Sequence, residues 1–129
     1  MPAQIERALQ VEIAWRLKAY PCLYVPIPNG TYLPARTEAE RAIVARVINR
    51  MKADGQLVPG SPDGLVLGAK GALCLELKRP RTRDLFSVRP KGRLSPEQRA
   101  FRDRCERAGV RYVVATCWSE VEADLGGLW

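Results

Sequence analysis

The chain has 129 residues, 47% of them hydrophobic, which is enough for one domain around a single core and too few for two. Its 21 Lys and Arg against 14 Asp and Glu leave a net charge of +7, an excess that favours a polyanionic partner, nucleic acid before an anionic membrane. Histidine is absent, which excludes Ser-His-Asp chemistry and every hydrolytic site built on an imidazole base. No apolar run approaches the ~18 residues that span a bilayer, and the N-terminus lacks the basic-then-apolar order of a signal peptide. An intracellular, cytoplasmic protein with no membrane partner is expected. The four cysteines, at 22, 74, 105 and 117, form no Cys-x-x-Cys pair, which removes zinc-knuckle and thioredoxin chemistry. Cys74 and Cys117 lie in apolar, strand-like runs and are expected to be buried free thiols.

Residues 3–19 read as a helix, with Ile5, Leu9, Ile13 and Leu17 as its apolar stripe and Tyr20-Pro21 ending it. Residues 22–27 form a short strand that Pro26, Pro28, Asn29 and Gly30 bring to a stop. A second helix opens on Thr37-Glu38-Ala39-Glu40, which has the form of a capping box, and keeps helical spacing through Ile43, Val44, Val47, Ile48 and Met51 to Gly55. Arg36, Arg41, Arg46, Arg50 and Lys52 fall mostly on its outer side, either as a solvated face or as contacts for a phosphate backbone. Residues 64–68 and 72–78 are two short apolar runs joined at Lys70-Gly71, which predicts a hairpin. From Arg79 to Arg104 the chain carries nine basic residues against three acidic ones, and this run reads as a basic loop able to reach along phosphates. Leu85, Phe86 and Val88 within it suit either packing the loop down or contact with a second subunit. Ser95-Pro96-Glu97-Gln98 opens a third helix that runs to Arg107 and Gly109. Residues 110–117 then read as an apolar strand and 119–125 as a short helix capped by Ser119, with Leu128 and Trp129 folding back onto the core. This order predicts a single α/β domain over 1–129, with a mixed central β-sheet flanked by helices.

The chemistry gathers at the hairpin. Period-2 alternation places Glu76 and Lys78 on one face of the second strand and Leu75 and Leu77 on the other. Two ionisable groups at the end of an apolar strand are costly to bury unless they pair or meet a metal. Pro59, Gly60 and Pro62 deliver the chain rigidly into Asp63. Asp63 and Glu76 can supply oxygens to a hard divalent cation, the backbone carbonyl of Leu77 can add another, and Lys78 can orient or deprotonate a water; these are the parts that phosphodiester hydrolysis requires. The plainer alternative is an Asp in a turn beside an ordinary Glu-Lys pair on an exposed strand. Glu6, four residues before Gln10 on the first helix, is placed to lean over the sheet as a third ligand, or else is a solvated first-turn carboxylate. Glu12 is its rival and faces away from it. Gln98 is either the capping partner of Ser95 or a support for water, phosphate or Lys78.

With Pro62-Asp63 and Glu76-Leu77-Lys78 in a strand-turn-strand setting, the chain resembles the PD-(D/E)xK nucleases. Within that superfamily it resembles the virus-type replication-repair nuclease (VRR-NUC) domain, through Glu6-Arg-Ala-Leu-Gln10, Pro28-Asn29-Gly30, Gly60-Ser-Pro-Asp63, Leu94-Ser-Pro-Glu-Gln98 and Gly109-Val-Arg-Tyr-Val-Val-Ala115. The resemblance spans nearly the whole chain. It implies a restriction-endonuclease-like core and a structure-selective DNA endonuclease dependent on Mg2+ or Mn2+. The metal would lie at Asp63, Glu76 and the Leu77 carbonyl, approached by Glu6, with Lys78 serving the water and Gln98 supporting the site. It further implies a homodimer of phage or bacterial type acting on branched DNA such as four-way junctions. The charge of the run after Lys78, by itself, offers Arg79, Arg81, Arg83, Arg89, Lys91 and Arg93 to the nucleic acid. The second helix and the arginine-rich run after Lys78 depart from the usual pattern. Other expectations compatible with the residues are flap cleavage or nicking by the same fold, a silent basic DNA-binding module, and an oligomeric interaction subunit.

Overall fold

A computed structural model of the chain describes residues 2–27, 36–55, 58–83, 88–89 and 91–129, the side chains of residues 2–4, 83 and 89 excepted. Its elements in order are α1 (Pro2–Leu17), β1 (Leu23–Pro26), α2 (Glu38–Ala53), β2 (Gly64–Gly68), β3 (Gly71–Leu77), β4 (Thr82–Arg83), β5 (Val88–Arg89), α3 (Pro96–Arg107), β6 (Arg111–Ala115) and α4 (Trp118–Ala123). The fold is mixed α/β, as expected, with a four-stranded sheet of order β1-β2-β3-β6. β1, β2 and β3 pair antiparallel and β6 joins β3 in parallel. A parallel neighbour needs a crossover, which α3 supplies.

β3 is central, and its last five residues are all buried. The alternation predicted for it is realised as two covered faces. Leu73, Leu75 and Leu77 point into one apolar cluster with Ile13 and Leu17 of α1, Val66, Val113, Ala115, and Val121, Leu125 and Leu128 at the C-terminus. Each such side chain removed from water contributes about 1.5–3 kcal/mol before entropy is counted. Leu128 and Trp129 do fold back, Leu128 into the cluster and Trp129 against the Tyr20 ring at 5.7 Å. The other face carries Cys74 and Glu76 and is covered by α3. There the Cys74 and Cys105 sulfurs lie 3.8 Å apart, and Phe101 stacks at a tilt on Tyr112.

Three local expectations are corrected. The basic run after Lys78 contains a small hairpin, β4–β5, pairing Thr82 with Arg89 and Arg83 with Val88. It returns the chain so that the Gly92 N–H bonds the Arg79 carbonyl at 2.9 Å. α4 starts earlier than predicted, with Cys117 rather than Ser119 at its N-cap. The reason lies in Glu120, whose carboxylate accepts from the Thr116 N–H at 3.1 Å and from the Cys117 thiol, closing the turn one residue pair upstream. Cys117 is accordingly half-buried at that turn, outside the strand, whereas Cys74 is buried on β3; all four cysteines are free. Pro28, Asn29 and Gly30, with Leu85 and Phe86, lie outside the described residues, and Val88 is exposed. Among the described residues no helix is long and apolar enough to cross a membrane.

Candidate functional site

The β2–β3 register pairs Gly64 with Leu75, so one step further out Asp63 comes opposite Glu76. What precedes Asp63 is held rigidly. Pro62 is fully buried, and the Ser61 hydroxyl donates to the Val58 carbonyl at 2.6 Å. Gly60 has φ +80° and lies so close to α3 that a Cβ would strike the Glu97 backbone, so the segment passes against that helix only as glycine. Past the strand end, the Ile27 N–H still bonds the Asp63 carbonyl at 2.8 Å, which fixes the backbone from which the carboxylate hangs.

The Asp63 carboxylate is spanned by two donors. Oδ2 accepts from the Leu77 N–H at 2.7 Å and Oδ1 from Gln10 Nε2 at 3.1 Å. Burial nonetheless raises its pKa, helped by the Glu6 charge and opposed by the Leu77 N–H, Lys78 and Gln10. In an extended strand the N–H and C=O of one residue point to the same side, so the Leu77 carbonyl turns toward Asp63 as well.

Glu76 is 3% exposed. Its Oε1 accepts from Gln98 Nε2 at 2.7 Å and lies 3.5 Å from Lys78 Nζ. Its Oε2 is buried and has no hydrogen-bond partner among the described residues. Burial first, and the Asp63 carboxylate second, push Glu76 up to about 7, against the pull of Lys78. A buried, half-satisfied carboxylate beside another carboxylate is destabilising unless a cation or a proton resolves it.

Gln98 caps α3 as expected, and its other end reaches the site through Glu76 rather than through water, phosphate or Lys78. Its Oε1 accepts from the Ser95 N–H at 2.9 Å and its own N–H donates to Ser95 Oγ at 3.1 Å, which makes a complete capping box, while its Nε2 remains for Glu76.

These groups open on one cleft of about 580 Å3. Glu6, Gln10, Lys52, Asp63, Glu76, Leu77, Lys78, Glu97 and Gln98 all line it. Glu6 thus stands on the cleft wall, whereas Glu12 is turned outward and paired with Arg16 at 3.1 Å. Of the predicted backbone contacts, Arg81, Lys91 and Arg93 are exposed, with Gly92 packed on the Lys78 side chain between the latter two. Arg79 is half-buried, its Nη1 enclosed with no hydrogen-bond partner among the described residues, so it is a less open contact than expected. Arg83 and Arg89 sit on β4 and β5, and their side chains lie outside the described ones.

The sequence points to neither Gln10 nor Lys52 as a cleft residue. Gln10 has one signal, its place four residues after Glu6 on the same helix face. Lys52 reads there only as one of the basic residues of α2, either solvated or on a phosphate backbone, and only the tertiary position of α2 brings its end to the cleft.

The donor set consists of hard oxygens from two carboxylates and a main-chain carbonyl, which suits Mg2+ or Mn2+, cations that keep several waters. Among the described residues no three His, Cys, Asp or Glu side chains converge as a ready cage, so further positions would fall to water and substrate. No protein-family model, curated protein or solved structure matches this chain.

Proposed function

We propose that the cleft is the active site of a divalent-metal-dependent DNA endonuclease with a PD-(D/E)xK core of the VRR-NUC type, acting on branched DNA as a homodimer. The observation that carries the reading is the buried Oε2 of Glu76, which has no hydrogen-bond partner among the described residues and stands beside Asp63, where a cation or a proton is needed to offset the charge. Asp63, Glu76 and the Leu77 carbonyl would hold Mg2+ or Mn2+, with Glu6 approaching directly or through water. When bound, the ion would supply Lewis-acid polarisation of a phosphoryl oxygen and would acidify a water.

The chain's own groups do the rest. The Leu77 N–H and Gln10 hold Asp63 in one rotamer, so that its carboxylate needs no reorganisation. Gln98 fixes Glu76 from α3 through Oε1 and leaves its buried second oxygen without a hydrogen-bond partner among the described residues. Lys78, held at the Glu76 carboxylate, offers N–H donors to the attacking water and positive charge to the crowded phosphate. Arg81, Lys91 and Arg93 lie outside on the solvent side and neutralise flanking phosphates.

The test is cleavage of a labelled panel of linear duplex, flap, splayed arm and four-way junction in Mg2+ or Mn2+, wild type beside Lys78→Ala, with binding followed in Ca2+. Symmetric junction cuts that the variant loses, with binding kept and a dimeric mass, are expected. Tight binding with no cutting of any substrate would replace the nuclease with a silent DNA-binding module.

A further inference from the structure

α2 stands apart from the rest of the molecule. None of its residues is buried, and among the described residues no other helix or strand packs extensively against it. Its C-terminal end nevertheless reaches the site, because Lys52 lines the cleft with Asp63, Glu76 and Lys78. The two lysines are not equivalent. Lys78 is tied to Glu76 at 3.5 Å, whereas no ion pair among the described residues engages Lys52. Four carboxylates, Glu6, Asp63, Glu76 and Glu97, face the same space, so an approaching phosphodiester needs positive charge beyond that of a bound metal and a lysine already paired.

The helix continues that charge outward. Lys52, Asn49, Ala45 and Arg41 are spaced three, four and four apart and share one face, and all four are exposed. At a rise of 1.5 Å per residue Arg41 lies about 16 Å from Lys52, which matches roughly five base-pair steps along a DNA duplex axis at 3.4 Å each. Ala45, small and in the middle of the row, leaves room for a backbone to lie close. Arg50, two residues from Lys52 and therefore on the opposite face, is drawn instead toward Asp54 at 4.0 Å.

We propose that α2 is a phosphate-binding arm of the active site, in which Lys52 grips the DNA phosphate beside the scissile bond and Asn49 and Arg41 hold the same strand as it leaves the cleft. The inference rests on the nuclease reading for which phosphate is held, and on a DNA substrate for its partner. It gives α2 a role that the fold itself does not, since nothing of the core depends on this helix.

The experiment is a fluorescence-anisotropy titration of the full-length protein on a labelled splayed-arm DNA in Ca2+, repeated between about 50 and 200 mM salt, where phosphate neutralisation dominates affinity. The proteins are wild type, the double variant Arg41→Ala/Lys52→Ala, Lys52→Arg, and Arg50→Ala as a single-charge control on the other face. Removing one phosphate-binding side chain should reduce the slope of log K against log salt by about 0.9 and weaken binding on the order of tenfold at 0.1 M salt. The double variant should therefore show nearly twice that reduction, Lys52→Arg should keep the wild-type slope, and Arg50→Ala should match wild type. Circular dichroism unchanged from wild type certifies that the helix persists. A double variant with wild-type slope and affinity overturns the arm, as does an Arg50→Ala effect half that of the double variant, the same per charge removed, which would mean net charge rather than a defined grip on the strand. A wild type that binds yet cuts nothing in Mg2+ removes the nuclease reading alone, and the slope comparison still decides the arm.

Discussion

The β2–β3 hairpin and α2 carry hydrophobic patterns of similar regularity in the sequence, and they end in opposite environments. On β3, Leu73, Leu75 and Leu77 are completely enclosed by α1, β6 and the C-terminal residues. On α2, Ile43 and Val47 stay 56% and 45% exposed. Periodicity states which residues share a face, but burial requires a second surface to answer that face, and among the described residues the hairpin has one where α2 does not. α2 is held instead by local devices. Thr37 Oγ accepts from the Glu40 N–H at 3.1 Å, the Glu40 carboxylate accepts from the Thr37 N–H, and basic residues fill the last turn.

The largest expected effect tests this contrast directly. Leu75→Ala should cost about 2–5 kcal/mol in urea denaturation, because it opens a cavity in a packed core. Val47→Ala on α2 should change stability by less than about 0.5 kcal/mol, as surface substitutions do. Comparable losses at the two positions would show that α2 is packed against the body after all.

Next in size is Glu76→Gln, where stability and activity should move apart. With its pKa raised to about 7 in the fold, against an unperturbed value near 4.5, Glu76 holds a proton in the folded chain that the unfolded chain has released. Its contribution is fully favourable below pH 4.5 and is lost as pH rises through 7, so the metal-free protein should lose stability across that window. The neutral amide removes the penalty, and at pH 8 the variant should be more stable by about 3 kcal/mol, raising Tm by several degrees. Cleavage should be abolished. For wild type, Mg2+ or Mn2+ should raise Tm at pH 8 and do so progressively less below pH 7, where the proton competes for Glu76. A metal-induced shift that is the same in Glu76→Gln would place the cation elsewhere.

The sequence made the hairpin half of the comparison legible because strand alternation and two prolines are strong local rules. They put Asp63, Glu76 and Lys78 at one strand end, and the register then sets the two carboxylates opposite each other. Gln98 was legible only as a choice between cap and site. The side chain has two ends, and each takes one role. Gln10 on Asp63 could not be read, since it depends on how α1 docks across the hairpin, 53 residues away in the chain. The strands β4 and β5 are two residues each, too short for any period to register. The exposure of α2 was hidden for the converse reason, because an unanswered stripe and a buried one are spelled alike.

The smallest prediction compares two N-caps with the same geometry. Thr37 and Ser95 both complete capping boxes, and replacing either with Ala should cost about 1 kcal/mol of local helix stability. The consequences should differ in reach. Thr37 closes a box whose members touch nothing in the cleft, so Thr37→Ala should fray α2 in hydrogen exchange and leave global unfolding nearly unchanged. Ser95 closes a box whose partner Gln98 also holds Glu76, so Ser95→Ala frees one end of a side chain that positions a site carboxylate. Metal affinity, followed as the Tm increment at saturating Mn2+, should fall in Ser95→Ala and not in Thr37→Ala, and Ser95→Thr should restore it. Equal metal responses in the two alanine variants would mean that Glu76 is placed by its strand alone and that Gln98 merely rests on it.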